Sequence, residues 1–133
     1  MGNRRFKIIN SSLEKTTIIK TSNRVVESVG IRRFLKGIVK LQSGDKQAAI
    51  IEYDRAIIFH PELVPAYVSR GMAKYDLGQY QEAMADYDRA IIINPNYLMA
   101  YFYRGMLKSE LGQKQSAIID YDRVILIDRK SVV

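Results

Sequence analysis

The chain has 133 residues, enough for one domain with its own core, and its 47% hydrophobic and 26% charged residues are ordinary for a soluble globular protein. It contains no cysteine, which excludes a disulfide framework, a thiolate zinc site and a thiol nucleophile. A net charge of +7 and a pI near 9.7 admit an acidic partner or an anionic surface but say nothing about fold.

The first segment in chain order is residues 1–29. It carries Arg4, Arg5, Lys7, Lys15, Lys20 and Arg24 against Glu14 and Glu27, so more than half of the positive excess lies there. Its start has charge but no continuous apolar core of a secretion signal, and no stretch of the chain approaches the length of a membrane span. "MG" at the start is not a myristoylation pattern, because Phe6 stands where Ser or Thr is needed. The expected location is cytoplasmic. Within residues 7–29 the apolar residues come in short β-branched clusters (Ile8 and Ile9, Ile18 and Ile19, Val25 and Val26) separated by Ser and Thr, which argues against a stable free helix. Three roles are open for this basic segment: a flexible arm, a capping helix over the first structural unit after residue 29, or an occupant of a groove.

From residue 30 the chain divides into blocks of 34: residues 30–63, 64–97 and 98–131. "YDRAI" stands at 53–57 and 87–91 and "YDRVI" at 121–125, and the second and third blocks agree at half of their positions, which signals a stacked repeat. Each block reads as two helices. Gly44, Gly78 and Gly112 stop the first helix of each, and Pro61 and Pro95 separate the blocks. Gly37, Gly71 and Gly105 on the first helix, and Ala49, Ala83 and Ala117 on the second, mark positions where two helix backbones approach closely. Tyr53, Tyr87 and Tyr121, each with an Ile one turn later, fall on the packing stripe of the second helix.

These marks resemble the tetratricopeptide repeat family. The middle block matches its pattern through Tyr67, Gly71, Gly78, Ala83, Tyr87, Ala90 and Pro95. The third departs at Val124 and Arg129, and the first has Arg33 in place of the leading aromatic. The resemblance implies an all-α fold, an α-solenoid (right-handed superhelix) of three antiparallel helix-turn-helix repeats over residues 30–131. It also implies a concave groove lined by the first helices, which holds an extended peptide or a partner helix. Carried over block by block, the lining is Ile31, Phe34, Leu35, Ile38 and Leu41; then Val68, Ser69, Met72 and Tyr75; then Met99, Phe102, Tyr103 and Met106. This set is strongly apolar, as suits adaptable binding, although a stripe of Met and aromatic residues is equally the mark of a buried face. Members that grip the carboxylate of a chaperone tail use Lys, Asn and Arg at positions that are Phe34, Ile38, Ser69, Met99 and Tyr103 here. No such clamp is expected.

A charge regularity lies outside the family pattern. A base precedes each close-approach glycine (Lys36, Arg70, Arg104) and an acid precedes each packing tyrosine (Glu52, Asp86, Asp120), always 16 residues apart. Lys40, Lys74 and Lys108 follow the bases by one turn. The expected arrangement is a structural ladder of ion pairs, Lys36 to Glu52, Arg70 to Asp86 and Arg104 to Asp120. The competing one is a positive stripe that receives an acidic peptide.

Nothing in the sequence points to catalysis or to a metal or other cofactor. The one histidine, His60, lies in the "FHPEL" connection with no second His and no Cys beside it, and Asp86 and Asp88 face different sides of a helix. The expected function is a non-catalytic protein-interaction scaffold whose partner is a protein or peptide. Solenoids need polar terminal caps, and "AIIDYDRVILI" is followed by none, so either a homodimer through the uncapped C-terminal repeat or the remainder of a larger protein is expected to cover it. The alternative is an electrostatic adaptor whose basic N-terminal arm docks on nucleic acid or anionic membrane while the repeats are structural.

Overall fold

A computed structural model describes residues 3–131, with side chains from residue 11 onward, so Arg4, Arg5 and Lys7 of the basic segment lie outside the described side chains. Every element among the described residues is helical: α1 (Asn3–Gln42), α2 (Lys46–Phe59), α3 (Val64–Asp76), α4 (Tyr80–Ile93), α5 (Leu98–Glu110) and α6 (Lys114–Ser131). The helices pair as hairpins, α1 with α2, α3 with α4 and α5 with α6. Each new hairpin stacks on the last, α3 on α2 and α5 on α4, and the first helices α3 and α5 also touch. This is an α-solenoid.

The hairpin turns have a local cause. At the end of α3, Gly78 takes φ +78°, a left-handed conformation open to glycine without cost. The chain then turns so that Gln79 N–H donates to the Lys74 carbonyl at 2.8 Å and Gly78 N–H to that of Tyr75 at 2.9 Å, a closure that satisfies carbonyls the helix leaves free. Gly112 repeats the turn with Gln113 N–H on the Lys108 carbonyl at 2.8 Å. The next connection is fixed by a tyrosine hydroxyl: Tyr67 donates to the carbonyl of Pro61 at 2.6 Å and Tyr101 to that of Pro95 at 2.8 Å. The aromatic that opens each of these repeats therefore ties down the proline that closed the one before.

The core runs along the stack. Tyr53 and Tyr87 are fully buried, together with Ala49, Ala56, Ala83, Ala90, Ala100 and Leu107. The close-approach glycines act differently from the sequence expectation. What lies over them is the packing tyrosine of the same hairpin and not a helix backbone. A Cβ at Gly71 would come within 2.6 Å of Tyr87 Cε1, and one at Gly105 within 2.8 Å of Tyr121 Cε1; Gly37 meets Tyr53 in the same way. "YDR" recurs because each ring needs a bare patch of helix to lie on.

The N-terminal segment is helical where a stable free helix was not expected. No break occurs near residue 29. Helix α1 is a single rod of 40 residues, on the order of 60 Å at about 1.5 Å per residue, and only its last part packs in the solenoid. Residues 11–27 are exposed; they neither cap the first repeat nor enter a groove. The hydroxyls that argued against a helix are absorbed by it, since Thr16, Thr17, Thr21 and Ser28 each donate to the carbonyl four residues earlier, at 2.9, 2.9, 2.9 and 2.7 Å. No helix among the described residues is long and apolar enough to cross a membrane.

Candidate partner-binding groove

The first helices present a row of large side chains on one side of the stack. Between the second and third hairpins this row opens into a cavity of about 140 Å³ lined by Met72, Tyr75, Asp76, Tyr87, Tyr103 and Met106. Two stacking contacts shape it. The rings of Tyr87 and Tyr103 lie nearly parallel, 6.2 Å apart, which joins α4 to α5, and Phe102 stands edge-on to Tyr103 at 5.3 Å. Phe102, Met99 and Met106 are each more than a third exposed, so the third hairpin offers open apolar surface beside the cavity.

Tyr75 borders the cavity beside Glu110. The Glu110 carboxylate near it, helped by burial, pushes the Tyr75 hydroxyl up to about 12, so it stays neutral. Burial pushes the Tyr87 hydroxyl higher still, with Tyr103 adding to the effect. Asp76 is partly neutralised by Lys46 at 3.6 Å. The one charged group lining the cavity is therefore acidic, with a lysine behind it.

The structure sorts the expected lining. Met72, Tyr75, Tyr103 and Met106 come together at the cavity, and Met99 and Phe102 lie on the exposed face of α5. Val68 is a core residue, 4% exposed. Phe34 and Ile38 are half-buried, and Phe34 packs on the Tyr53 ring at 5.8 Å. Leu35 lies elsewhere, in a shallow depression on the outer side of the first hairpin with Arg32, Lys36, Val39 and Lys40. Asp76 and Tyr87 were not among the expected lining residues; Tyr87 carried a packing signal that masked its second role.

The charged positions form a network richer than a ladder. Arg70 grips Asp86 with two bonds, Nε to Oδ2 at 2.9 Å and Nη2 to Oδ1 at 2.6 Å, and its third nitrogen, Nη1, donates to Asp54 of the preceding hairpin at 2.8 Å. Arg104 repeats the pattern, with Asp120 at 2.9 and 2.7 Å and Asp88 at 3.0 Å. Lys74 and Lys108 add second cations to Asp86 and Asp120 at 3.5 and 2.9 Å. Both of these acids are nearly buried, at 4% and 2%. Burial alone would push the Asp120 carboxyl up; the hydrogen bonds from Arg104 and Lys108 outweigh it and hold the group below the usual carboxylate range.

The first hairpin breaks the pattern. Lys36 is exposed and has no ion pair among the described residues, and Glu52 instead pairs with Arg33 at 3.3 Å and Arg55 at 3.0 Å. A lysine ammonium cannot fork between two acids as a guanidinium does, and no earlier hairpin supplies the second acid. Asp54 and Asp88 were legible in principle: each stands 16 residues before its arginine, just as Asp86 and Asp120 stand 16 after.

His60 caps α2, and its Nδ1 is buried without a partner. Among the described residues no group of three or more His, Asp or Glu side chains is placed to hold a metal.

Comparison with known proteins agrees with this geometry. Tetratricopeptide repeat models match residues 64–97 and 100–131. Among solved structures, the second tetratricopeptide domain of Spaghetti (RPAP3), bound to the HSP90 peptide SRMEEVD, is similar with a TM-score of 0.76 and 25% identity, over 80% of this chain and 98% of that one. The TPR2B domain of yeast Sti1, from a pHsp70 complex, is similar at 0.75 and 25%, over 77% and 82%. The Arabidopsis OM64 domain shares the fold at 0.75 and 21%, over 79% and 87%. No curated protein matches the chain. The stacked hairpins define a helical repeat protein of the protein-binding kind. The chain belongs to the tetratricopeptide repeat family.

Proposed function

We propose that the protein is a non-catalytic scaffold that binds an extended peptide, or an exposed segment of a partner protein, along the first helices, with one large apolar side chain of the partner anchored between α3 and α5. The observation that carries this reading is the 140 Å³ cavity between Met72, Tyr75, Tyr103 and Met106. It is close in size to the roughly 150 Å³ apolar cavity that accepts benzene, and thioethers and aromatic faces adapt to varied guests. Two relatives that bind HSP90 or Hsp70 segments share the fold at 25% identity, which supports peptide binding as a class. Chaperone-tail capture is not part of the proposal. The cavity is lined by Asp76, with Glu110 near the Tyr75 hydroxyl, and a terminal carboxylate would meet like charge there.

The test is selection of a random peptide library against the intact chain. Enriched peptides share an apolar anchor, and Met72→Glu with Met106→Glu abolishes their binding while leaving the thermal midpoint within a few degrees, since neither methionine is fully buried. Failure to enrich any peptide, or binding indifferent to the double variant, sinks the reading. A second reading rests on the exposed rod of α1, where Lys15, Lys20 and Arg24 stand clear of the solenoid: docking on nucleic acid or an anionic membrane. That binding would fall steeply with added salt, whereas apolar anchoring would barely respond.

A further inference from the structure

The charge network of the solenoid is unfinished at both ends, and the two unfinished ends match. Each arginine of the interior reaches back to an acid of the hairpin before it, Arg70 to Asp54 and Arg104 to Asp88. The next acid in this register is Asp122, and the base that stands first in it is Lys36. Both are exposed, and neither has an ion-pair partner among the described residues.

The apolar residues around them obey the same rule. Val39 occupies the register of Ala73 and Leu107, which are fully buried where a hairpin precedes them; with none before it, Val39 is 62% exposed. Leu35 occupies the register of Tyr103, which stacks on Tyr87, yet Leu35 is 55% exposed. At the other end, Ile125 stands in register with Ile57 and Ile91, which pack against the core where another hairpin comes after, and is 50% exposed. Tyr121 is likewise less buried than Tyr53 and Tyr87. Among the described residues no connecting loop folds over either surface, because α1 enters as a helix and α6 continues as one to Ser131.

We infer that these two faces bind each other in different copies of the chain. The outer face of α1 of one copy stacks on the outer face of α6 of the next, with Lys36 against Asp122 and Leu35 on the Tyr121 ring. Charge complementarity selects the occupant. A second α6 face would bring Asp122 against Asp122, and a second α1 face Lys36 against Lys36, so pairing of like ends is disfavoured. The contact follows the register of the α2–α3 and α4–α5 stackings rather than their spacing, because Arg32 stands where Ala66 and Ala100 are fully buried and holds the two copies further apart there. Being head-to-tail, it does not close at two chains; it builds an open filament or a ring. The expected homodimer through the C-terminal repeat alone is replaced by an interface that needs both ends. The concave groove then continues from one copy into the next. The interface does not involve the cavity and is independent of the proposed peptide binding.

The experiment is sedimentation velocity on the intact chain from about 1 µM to about 1 mM. The mass of the wild-type chain rises with concentration past that of two copies. Lys36→Asp and Asp122→Lys, both at exposed positions, each raise the concentration needed by at least about ten-fold, with unchanged helical circular dichroism. Mixing the two single variants in equal amounts restores association, and so does placing both reversals in one chain. A wild-type chain that stays single throughout overturns the inference. So does a mass that stops at two copies and ignores Lys36→Asp, the outcome for tail-to-tail pairing. Association that survives both single variants, as through the α1 rod alone, overturns it equally.

Discussion

The first hairpin and the two after it are built on one plan and held by different forces. In all three, the packing tyrosine lies on a glycine of the opposite helix. In the second and third, a half-buried arginine between hairpins ties one acid of its own repeat and one of the repeat before; in the first, the lysine at that position faces solvent and the acid finds other partners. The difference teaches that the arginine serves the interface between repeats as much as the repeat that contains it. Where no repeat precedes, the fork has nothing to join.

The sharpest way to break this comparison is to remove an arginine from the interior. Arg70→Ala leaves Asp86 nearly buried with only Lys74 beside it and frees Asp54. The expected loss is about 3–5 kcal/mol in urea unfolding, because an uncompensated buried charge costs more than a pair contributes. Lys74→Ala should cost clearly less, since the bidentate arginine remains. Equal losses for the two would dissolve the distinction between fork and flank.

The shared part of the plan is tested next. Gly71→Ala and Gly37→Ala each push a methyl group into a tyrosine ring and should destabilise by about 1–3 kcal/mol, against a helix-propensity gain of about 1 kcal/mol. A net gain at Gly37 with a loss at Gly71 would mean that the first hairpin does not close as the others do.

A smaller effect is read in acid. The folded-state value of Asp120 is depressed below the unfolded 3.8. Its contribution is therefore complete above pH about 4 and is lost as the pH falls through the folded value, where the protonated acid can no longer hold Arg104 and Lys108. Asp120→Asn should lower the thermal midpoint at pH 7 and flatten the acid limb; an unchanged acid limb would show that the pair contributes nothing. Smallest of all, Lys36→Ala should shift stability by no more than about 0.5 kcal/mol, in contrast to Arg70→Ala at the same register. A loss of several kcal/mol would place Lys36 in a network like that of the other hairpins.

The repeat boundaries could be read from the chain because glycine and proline act locally. Gly78 needs its left-handed φ whatever surrounds it, and the second helix of the middle block, "YQEAMADYDRAIII", is α4 residue for residue. The candidate groove was less legible. Met72, Tyr75, Tyr103 and Met106 do meet, but Val68, on the same helix and equally apolar, is in the core; periodicity gives a face and not which part of that face a neighbour covers. The N-terminal segment was misread for a related reason. Its β-branched and hydroxyl residues weigh against an isolated helix, and the isolated segment is not what exists: it grows from a helix already nucleated and packed at Gly37, so it extends without the cost of starting one.

What the residues determined unaided is the hairpin: where each helix stops, how often the glycine and tyrosine marks recur, and which acid lies 16 positions from which base. These are short-range matters of backbone conformation and fixed spacing. Only the stacked structure decided which charges are buried, which apolar side chains are covered and which stay bare. Those depend on whether a neighbouring hairpin is present and on whether the base can fork, and Lys36 and Arg70 occupy the same register with opposite fates.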